Sequence, residues 1–319
     1  GKPFLFVRDA DGQVHAMDDH CPHRGIPLSD GTFDGREVEC CYHGWRFDCA
    51  GQCVAIPSLT ADSPVKPDRI RVRSFECAES DGLVWIYRPR KGDNGEPPAV
   101  PSIEKYSENY SLQVLSRTMR CAMDHGIIGL MDPAHGPYVH KAWWWRSRKS
   151  IHEKEKRFEP IPFGFRMSAH QPSGNSAAYK LLKIYNEPIT TTIDFVLPNR
   201  RIETIRCGKY WYSSMAVVTP VGELETRLDF SAAWNVFRGV PFIRAVQEVF
   251  GNRFIDQDQS IMQKQTVGLL DDPNLMLIDG ADTPAKWYFQ LKQAYINWLE
   301  NGGEFEHPVK EPVTLRWRS

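Results

Sequence analysis

The sequence predicts an α+β protein: a small all-β domain over residues 1–90, a Pro/Gly-rich linker over 91–106, and a larger domain over 107–319 in which antiparallel sheet packs with helices. Three observations predict it. Short apolar runs broken by Gly, Pro, Asp and Ser fill the first 90 residues, as brief strands and tight turns require. From Pro89 to Pro101 the text turns to Pro, Gly, Asn and charge, which is linker chemistry. Beyond that point both the two-residue alternation of a half-buried strand and the recurrence of an amphipathic helix occur.

Taken in order, Pro3–Arg8 and Gln13–Met17 read as strands of a hairpin turning at Asp9-Ala10-Asp11-Gly12. Further short strands are expected near Val38–Glu39, Trp45–Phe47, Gln52–Ala55, Arg71–Cys77 and Leu83–Tyr87. In the larger domain Glu223–Phe230 alternates, with Leu224, Thr226, Leu228 and Phe230 on one face and Glu223, Glu225, Arg227 and Asp229 on the other. A sheet with one wet face needs helices on its dry one. Pro241–Val267 supplies one through Ile243, Phe250, Phe254 and Ile261, with Gly251 as a kink or a split. A further helix near Ala285–Glu300 stops at Asn301-Gly302-Gly303.

Lys plus Arg number 39 against 40 for Asp plus Glu, so the net charge of -1 offers no basic field for nucleic acid. No stretch free of charged residues exceeds about thirteen, short of the roughly 20 that span a bilayer, so neither membrane nor nucleic acid is an expected partner and the expected location is cytoplasmic. There is no internal repeat of solenoid period. Eight cysteines in a chain this large favour metal ligation over a disulfide framework. Five fall between Cys21 and Cys53; Cys77, Cys121 and Cys207 stand singly and read as core thiols.

The strongest chemical signal is Cys21-Pro22-His23 followed, after sixteen residues, by Cys40-Cys41-Tyr42-His43. Each pair is short enough for one tight loop to aim both side chains at one site, and Gly25 and Gly44 give those loops freedom. Two thiolates and two imidazoles suit a [2Fe-2S] cluster with sulfur on one iron and nitrogen on the other. A Cys2His2 zinc site uses the same residue types, although zinc modules usually pair like with like. Cys41, Cys49 and Cys53 read as ordinary buried thiols.

Cys-Pro-His-Arg-Gly at 21–25 and Cys-Cys-Tyr-His-Gly-Trp-Arg-Phe at 40–47 resemble the cluster loops of the Rieske non-haem iron oxygenases, where Cys-Pro-Tyr-His-Gly-Trp is usual and Cys41 here replaces the Pro. Respiratory Rieske proteins carry an extra cysteine in each loop; the matching positions, Ile26 and Tyr42, are not cysteines, so the resemblance implies the low-potential class. It covers nearly the whole chain and implies a second, mononuclear iron in the larger domain. There Asp132-Pro133-Ala134-His135-Gly136-Pro137-Tyr138-Val139-His140 contains Asp-x2-His-x4-His. Two imidazoles and a carboxylate on one face of Fe(II) leave positions open for oxygen and substrate. Residues five apart on an unbroken helix diverge by about 140°. Gly136 and Pro137 are expected to break the helix so that His135 and His140 converge.

The third ligand is expected at Asp258. On the helix defined by Phe254, Asp258 falls about 40° away, inside the apolar stripe, and Asp256 about 200° away on the opposite face. Relatives often follow this Asp with Glu-x-Gln; here the run is Gln263-Lys264-Gln265. Asp132 stands where the family places a carboxylate bridging a cluster histidine of a neighbouring subunit to an iron-bound histidine; helix N-cap, with Pro133 at the first helical position, is its other reading. Relatives commonly carry an acidic residue and an Asn just upstream, whereas Ile127-Ile128-Gly129-Leu130-Met131 implies a more apolar pocket. Trp143-Trp144-Trp145-Arg146 reads as core or interface packing.

The resemblance is to the compact group that works without a small β subunit. It implies a homotrimeric oxygenase component that takes electrons from NAD(P)H through a separate reductase, with or without a ferredoxin. It also implies O2 and a small organic substrate, an aromatic or fused-ring molecule that is hydroxylated or oxidatively demethylated. Arene cis-dihydroxylation, a Rieske electron carrier without oxygenase activity, and a zinc-stabilised binding protein are the other readings. Relatives carry a helix and a strand ahead of the region matching Gly1–Val7, so a preceding segment is expected.

Overall fold

The computed structural model describes residues 2–89, 96–140, 148–172 and 177–319. The tryptophan run and residues 91–95 of the expected linker lie outside them. The chain divides into two compact units, Gly1–Ser102 and Ile103–Ser319.

In the first unit β1 (Phe4–Arg8) and β2 (Val14–Asp18) form the expected hairpin. Asp9 closes it by accepting the N–H groups of Asp11 and Gln13, as aspartates at turns do. A four-stranded antiparallel sheet follows: β3 (Thr32–Phe33), β4 (Glu37–Glu39), β5 (Arg46–Asp48) and β6 (Cys53–Ala55). Strand β7 (Ser74–Phe75) returns to β2, and β8 (Cys77–Ser80) with β9 (Leu83–Ile86) makes a separate hairpin. Met17, Leu28, Val38 and Phe47 are fully buried at the centre, and the thiols of Cys21 and Cys40 belong to the same cluster. The core therefore fixes the two loops that carry the Cys-His pairs.

The second unit is one eight-stranded antiparallel sheet with helices. Along the chain run β10 (Ser111–Met119), α1 (Met123–Met131), α2 (Gly136–Val139), β11 (Glu153–Ile161), β12 (Gly164–His170), α3 (Ala177–Leu182), β13 (Ile189–Val196) and β14 (Arg200–Cys207). Then follow β15 (Tyr210–Gly222), β16 (Glu225–Trp234), α4 (Ile243–Asp271), α5 (Thr283–Asn301) and β17 (Val313–Arg318). The strand order is β10-β16-β15-β14-β13-β12-β11-β17. Phe165, Phe195, Ala216, Val218 and Leu228 of the sheet are buried with Ile127 of α1, Ile255 of α4, and Trp287, Tyr288 and Leu291 of α5. Asp124 of α1 accepts from the Tyr288 hydroxyl at 2.6 Å and from Lys292, which ties α1 to α5. Burial and that carboxylate push the Tyr288 phenol far up, so it stays a donor.

Several expectations change. The hairpin turn takes up Glu223 and Leu224, leaving Leu224 exposed, and β16 starts at Glu225. Gly251 does not split α4, which is continuous over 29 residues. A Cβ on Gly251 would stand 2.6 Å from Leu115 Cδ1, so this glycine lets α4 lie close on β10. Further along, Gln259 and Thr266 donate to the carbonyls of Thr118 and Arg120. The buried line of α4 runs through Ile255 and Thr266, whereas Phe250 and Ile261 of the expected stripe are exposed. Cys41 is exposed rather than buried, at the tip of its loop; all eight cysteines are free.

Candidate metal centres

The two Cys-His loops are the same turn made twice. Cys21 N–H donates to Ile26 O at 2.8 Å and Gly25 N–H to Cys21 O at 2.9 Å; Cys40 N–H donates to Trp45 O at 2.9 Å and Gly44 N–H to Cys40 O at 3.0 Å. Each turn closes through a glycine at positive φ, 78° at Gly25 and 68° at Gly44, which a side chain would strain. Cys21 and Cys40 lie in the core. The rings of His23 and His43 are 4.7 Å apart at the surface, and His23 stacks on Trp45 at 4.5 Å.

Burial pushes the Cys21 thiol up, with Cys40 beside it adding to the effect, while the backbone N–H groups of His23 and Arg24 favour the thiolate. Burial, with the charges of His23 and Arg24, holds His43 below the usual imidazole range. Its Nδ1 is buried with no hydrogen-bond partner among the described residues. A costly bare nitrogen and paired buried thiols suit a metal cluster. A single zinc ion would draw all four donors to within about 4 Å of one another. Here the two thiols lie in the core and the two imidazole rings pair at 4.7 Å outside it, sulfur on one side and nitrogen on the other. Two irons suit that arrangement better than one zinc.

At the second centre α1 ends at Met131 because Pro133 forces Asp132 out of helical backbone, to φ -65° and ψ 115°. Asp132 thus follows a helix instead of capping the start of one; its Oδ1 accepts the Ala134 N–H at 2.7 Å. Gly136 and Pro137 open α2 rather than interrupt a helix, and His135 and His140 flank that single turn. Both imidazoles converge for this reason. His135 Nε2 and His140 Nε2 are 3.1 Å apart, and Asp258 Oδ1 from α4 stands 3.1 Å from His140 Nε2 and 3.8 Å from His135 Nε2. With donors about 2.1 Å from an ion, neighbours at right angles sit about 3 Å apart, so this triangle fits one face of a metal. Asp256 points away and pairs with Arg117.

Second contacts hold each ring. His135 Nδ1 donates to the Asp132 carbonyl at 2.8 Å, with Asp132 Oδ2 at 3.5 Å. Burial alone would depress His135, but the side chain and charge of Asp132 and the charge of Asp258 outweigh it and raise it. His140, 2% exposed, stacks on Phe254 and reaches Gln257 Oε1 through Nδ1 at 3.0 Å. No sequence pattern flagged Gln257, since a glutamine beside a candidate ligand carries no motif.

His135 and Asp258 of the triad, with Asp132, line a cavity of about 320 Å³. Ile128, Gly129 and Leu130 of α1, Met262 of α4, and Leu275 and Leu277 of the α4–α5 loop make its apolar wall, as the Ile127–Met131 run led us to expect.

Residues 1–76 match the profile of the Rieske [2Fe-2S] domain. The chain is 28% identical over 316 residues to Protein TIC 55, chloroplastic, of Pisum sativum, which covers 95% of this chain and 54% of the relative. It is 26% identical over 335 residues to Chlorophyllide a oxygenase, chloroplastic, of Chlamydomonas reinhardtii, 99% of this chain and 47% of the relative. The chain thus spans about half the length of the curated relatives it matches. The crystal structure of dicamba monooxygenase bound to dicamba shares the fold, with a TM-score of 0.72 and 20% identity over 92% of this chain and 91% of that chain. Fold and site together define a Rieske domain joined to a second domain that offers a two-histidine, one-carboxylate triad. The chain is similar over nearly its whole length to Rieske-type oxygenases: residues 1–76 are a Rieske [2Fe-2S] domain, and the triad is a site for a mononuclear iron.

Proposed function

We propose that the chain is an oxygenase component that uses O2 and electrons from NAD(P)H, delivered by a separate reductase with or without a ferredoxin, to hydroxylate or oxidatively demethylate a small aromatic or fused-ring molecule. We expect it to act in the cytoplasm; among the described residues no helix is long and apolar enough to cross a membrane. The observation that carries the reading is a triad with edges of 3.1, 3.1 and 3.8 Å beside an apolar cavity in a chain that also has a Rieske domain. Cys21, Cys40, His23 and His43 hold the cluster in this reading, and His135, His140 and Asp258 hold the iron. When bound, the iron would supply the capacity to activate dioxygen and the cluster the electrons for it. The chain's own residues fix the imidazole tautomers and keep bulk water off the cavity through Ile128, Leu130 and Met262. Relatives named for oxygenation of ring compounds, dicamba and chlorophyllide a, support the substrate class.

The test is turnover under ¹⁸O2 with a surrogate reductase and a panel of neutral ring compounds. Hydroxylation is expected to leave one labelled oxygen on the ring product, and demethylation to release formaldehyde and leave none on the ring. Two labelled oxygens on adjacent carbons would mean dihydroxylation, and a reducible cluster with no mononuclear iron would leave an electron carrier.

We further propose a head-to-tail trimer in which Asp132 links an iron-bound histidine of one copy to a cluster histidine of the next. Supporting this, Asp132 is half-buried, its Oδ1 holds the Ala134 N–H, and its Oδ2 stands 3.5 Å from His135 Nδ1, near enough to share that ring's proton with the Asp132 carbonyl. Asp132→Asn is expected to keep both metals and the trimer in sedimentation while losing most coupled turnover, because an amide cannot accept equally from two ring N–H groups. Full activity in a diluted monomer would refute the arrangement.

A further inference from the structure

One face of α4 grips His140. Phe254, Gln257 and Asp258 stand at i, i+3 and i+4, neighbours on a helix surface. The His140 ring lies on Phe254 with centroids 3.5 Å apart and planes 14° apart; Nδ1 meets Gln257 Oε1 at 3.0 Å, and Nε2 faces Asp258 Oδ1 at 3.1 Å. At 2% exposure, little water competes for the ring nitrogens. His135 is held differently, by the carbonyl of its own segment.

A neutral imidazole has one ring proton to place. An amide oxygen at Nδ1 places it there and leaves the Nε2 lone pair toward the ion. We infer that Gln257 is a positioning residue of the iron site: it sets the tautomer and ring angle of His140, and its neutral amide does so without adding a second buried negative charge beside Asp258. A carboxylate in its place would pull on the Nδ1 proton, make His140 a stronger donor and favour the oxidised ion. The inference rests on the reading of His135, His140 and Asp258 as iron ligands.

Gln257→Met keeps side-chain length and helix propensity but removes the acceptor; Gln257→Glu keeps the acceptor and adds charge. Both are made in the full chain with its cluster, whose visible spectrum reports an intact first domain. Fe(II) is titrated into protein stripped of mononuclear iron, and the potential of that iron is followed by EPR. Gln257→Met is expected to weaken Fe(II) binding about 10- to 100-fold, and Gln257→Glu to restore it to within about threefold. Gln257→Glu is also expected to lower the iron potential, which a packing role would not do. Wild-type affinity in a folded Gln257→Met protein overturns the inference, as does an unchanged potential in Gln257→Glu should the Met variant fail to fold. If the wild-type chain itself takes up no Fe(II) at this site, the iron reading fails, and the Gln257 role with it.

Discussion

Asp258→Ala is expected to abolish turnover and strip the mononuclear iron while leaving the cluster spectrum in place. The variant removes the one carboxylate of the triad, and two imidazoles 3.1 Å apart, one of them fully buried, are left to hold a cation without an anion. Asp256→Ala is the control on the same helix. Its carboxylate is half exposed and paired with Arg117, a surface contact worth at most about 1 kcal/mol, so iron content and rate should hold. Metal analysis beside the visible spectrum decides between them. Iron loss in the Asp256 variant instead would place the ligand on the wrong face of α4.

Cys40→Ala is expected to remove the cluster. Cys40 is 3% exposed and its loop hangs on its own N–H and carbonyl, so the backbone turn should survive while one of two thiolates is lost. The reduced wild-type protein should show the rhombic EPR signal of a mixed sulfur and nitrogen cluster, and the variant should show none. An all-cysteine signal in the wild type would sink the ligand assignment.

The first domain was largely legible because its chemistry is local. Two loops of five or six residues each contain their thiol, their imidazole and the glycine that closes them, so residue type and spacing carry the geometry. Most of the second domain was not. Strand β15 is buried on both faces from Ser213 to Val218, which erases the alternation that marks a strand. Helix α1 is nine residues with two glycines, a poor helix by propensity, and it forms because Asp124 is tied to Tyr288 and Lys292 far along the chain. On α4 the exposed Val246, Val249, Phe250, Val267 and Leu270 blur the apolar stripe, yet Asp258 still sits near the buried line. Asp258 lies beside the two imidazoles although the expected phase was imperfect, because a stripe is broad. Gln257 had no signal, since its role exists only once His140 is laid against it.

Helix α4 rests against the domain where two glycines stand. Gly251 presses on Leu115, and Met262 reaches Gly129, where an added Cβ would come within 2.9 Å of Met262 Cε. Between these supports sit Gln257 and Asp258. From Asp258 to Met262 is one turn, about 6 Å along the axis, and an α-helix barely compresses over that length. Met262 of the cavity wall and Asp258 of the triad thus share one face of one helix, so the space offered to a ring and the position of the carboxylate are set by the same seating of α4 on Leu115 and Gly129.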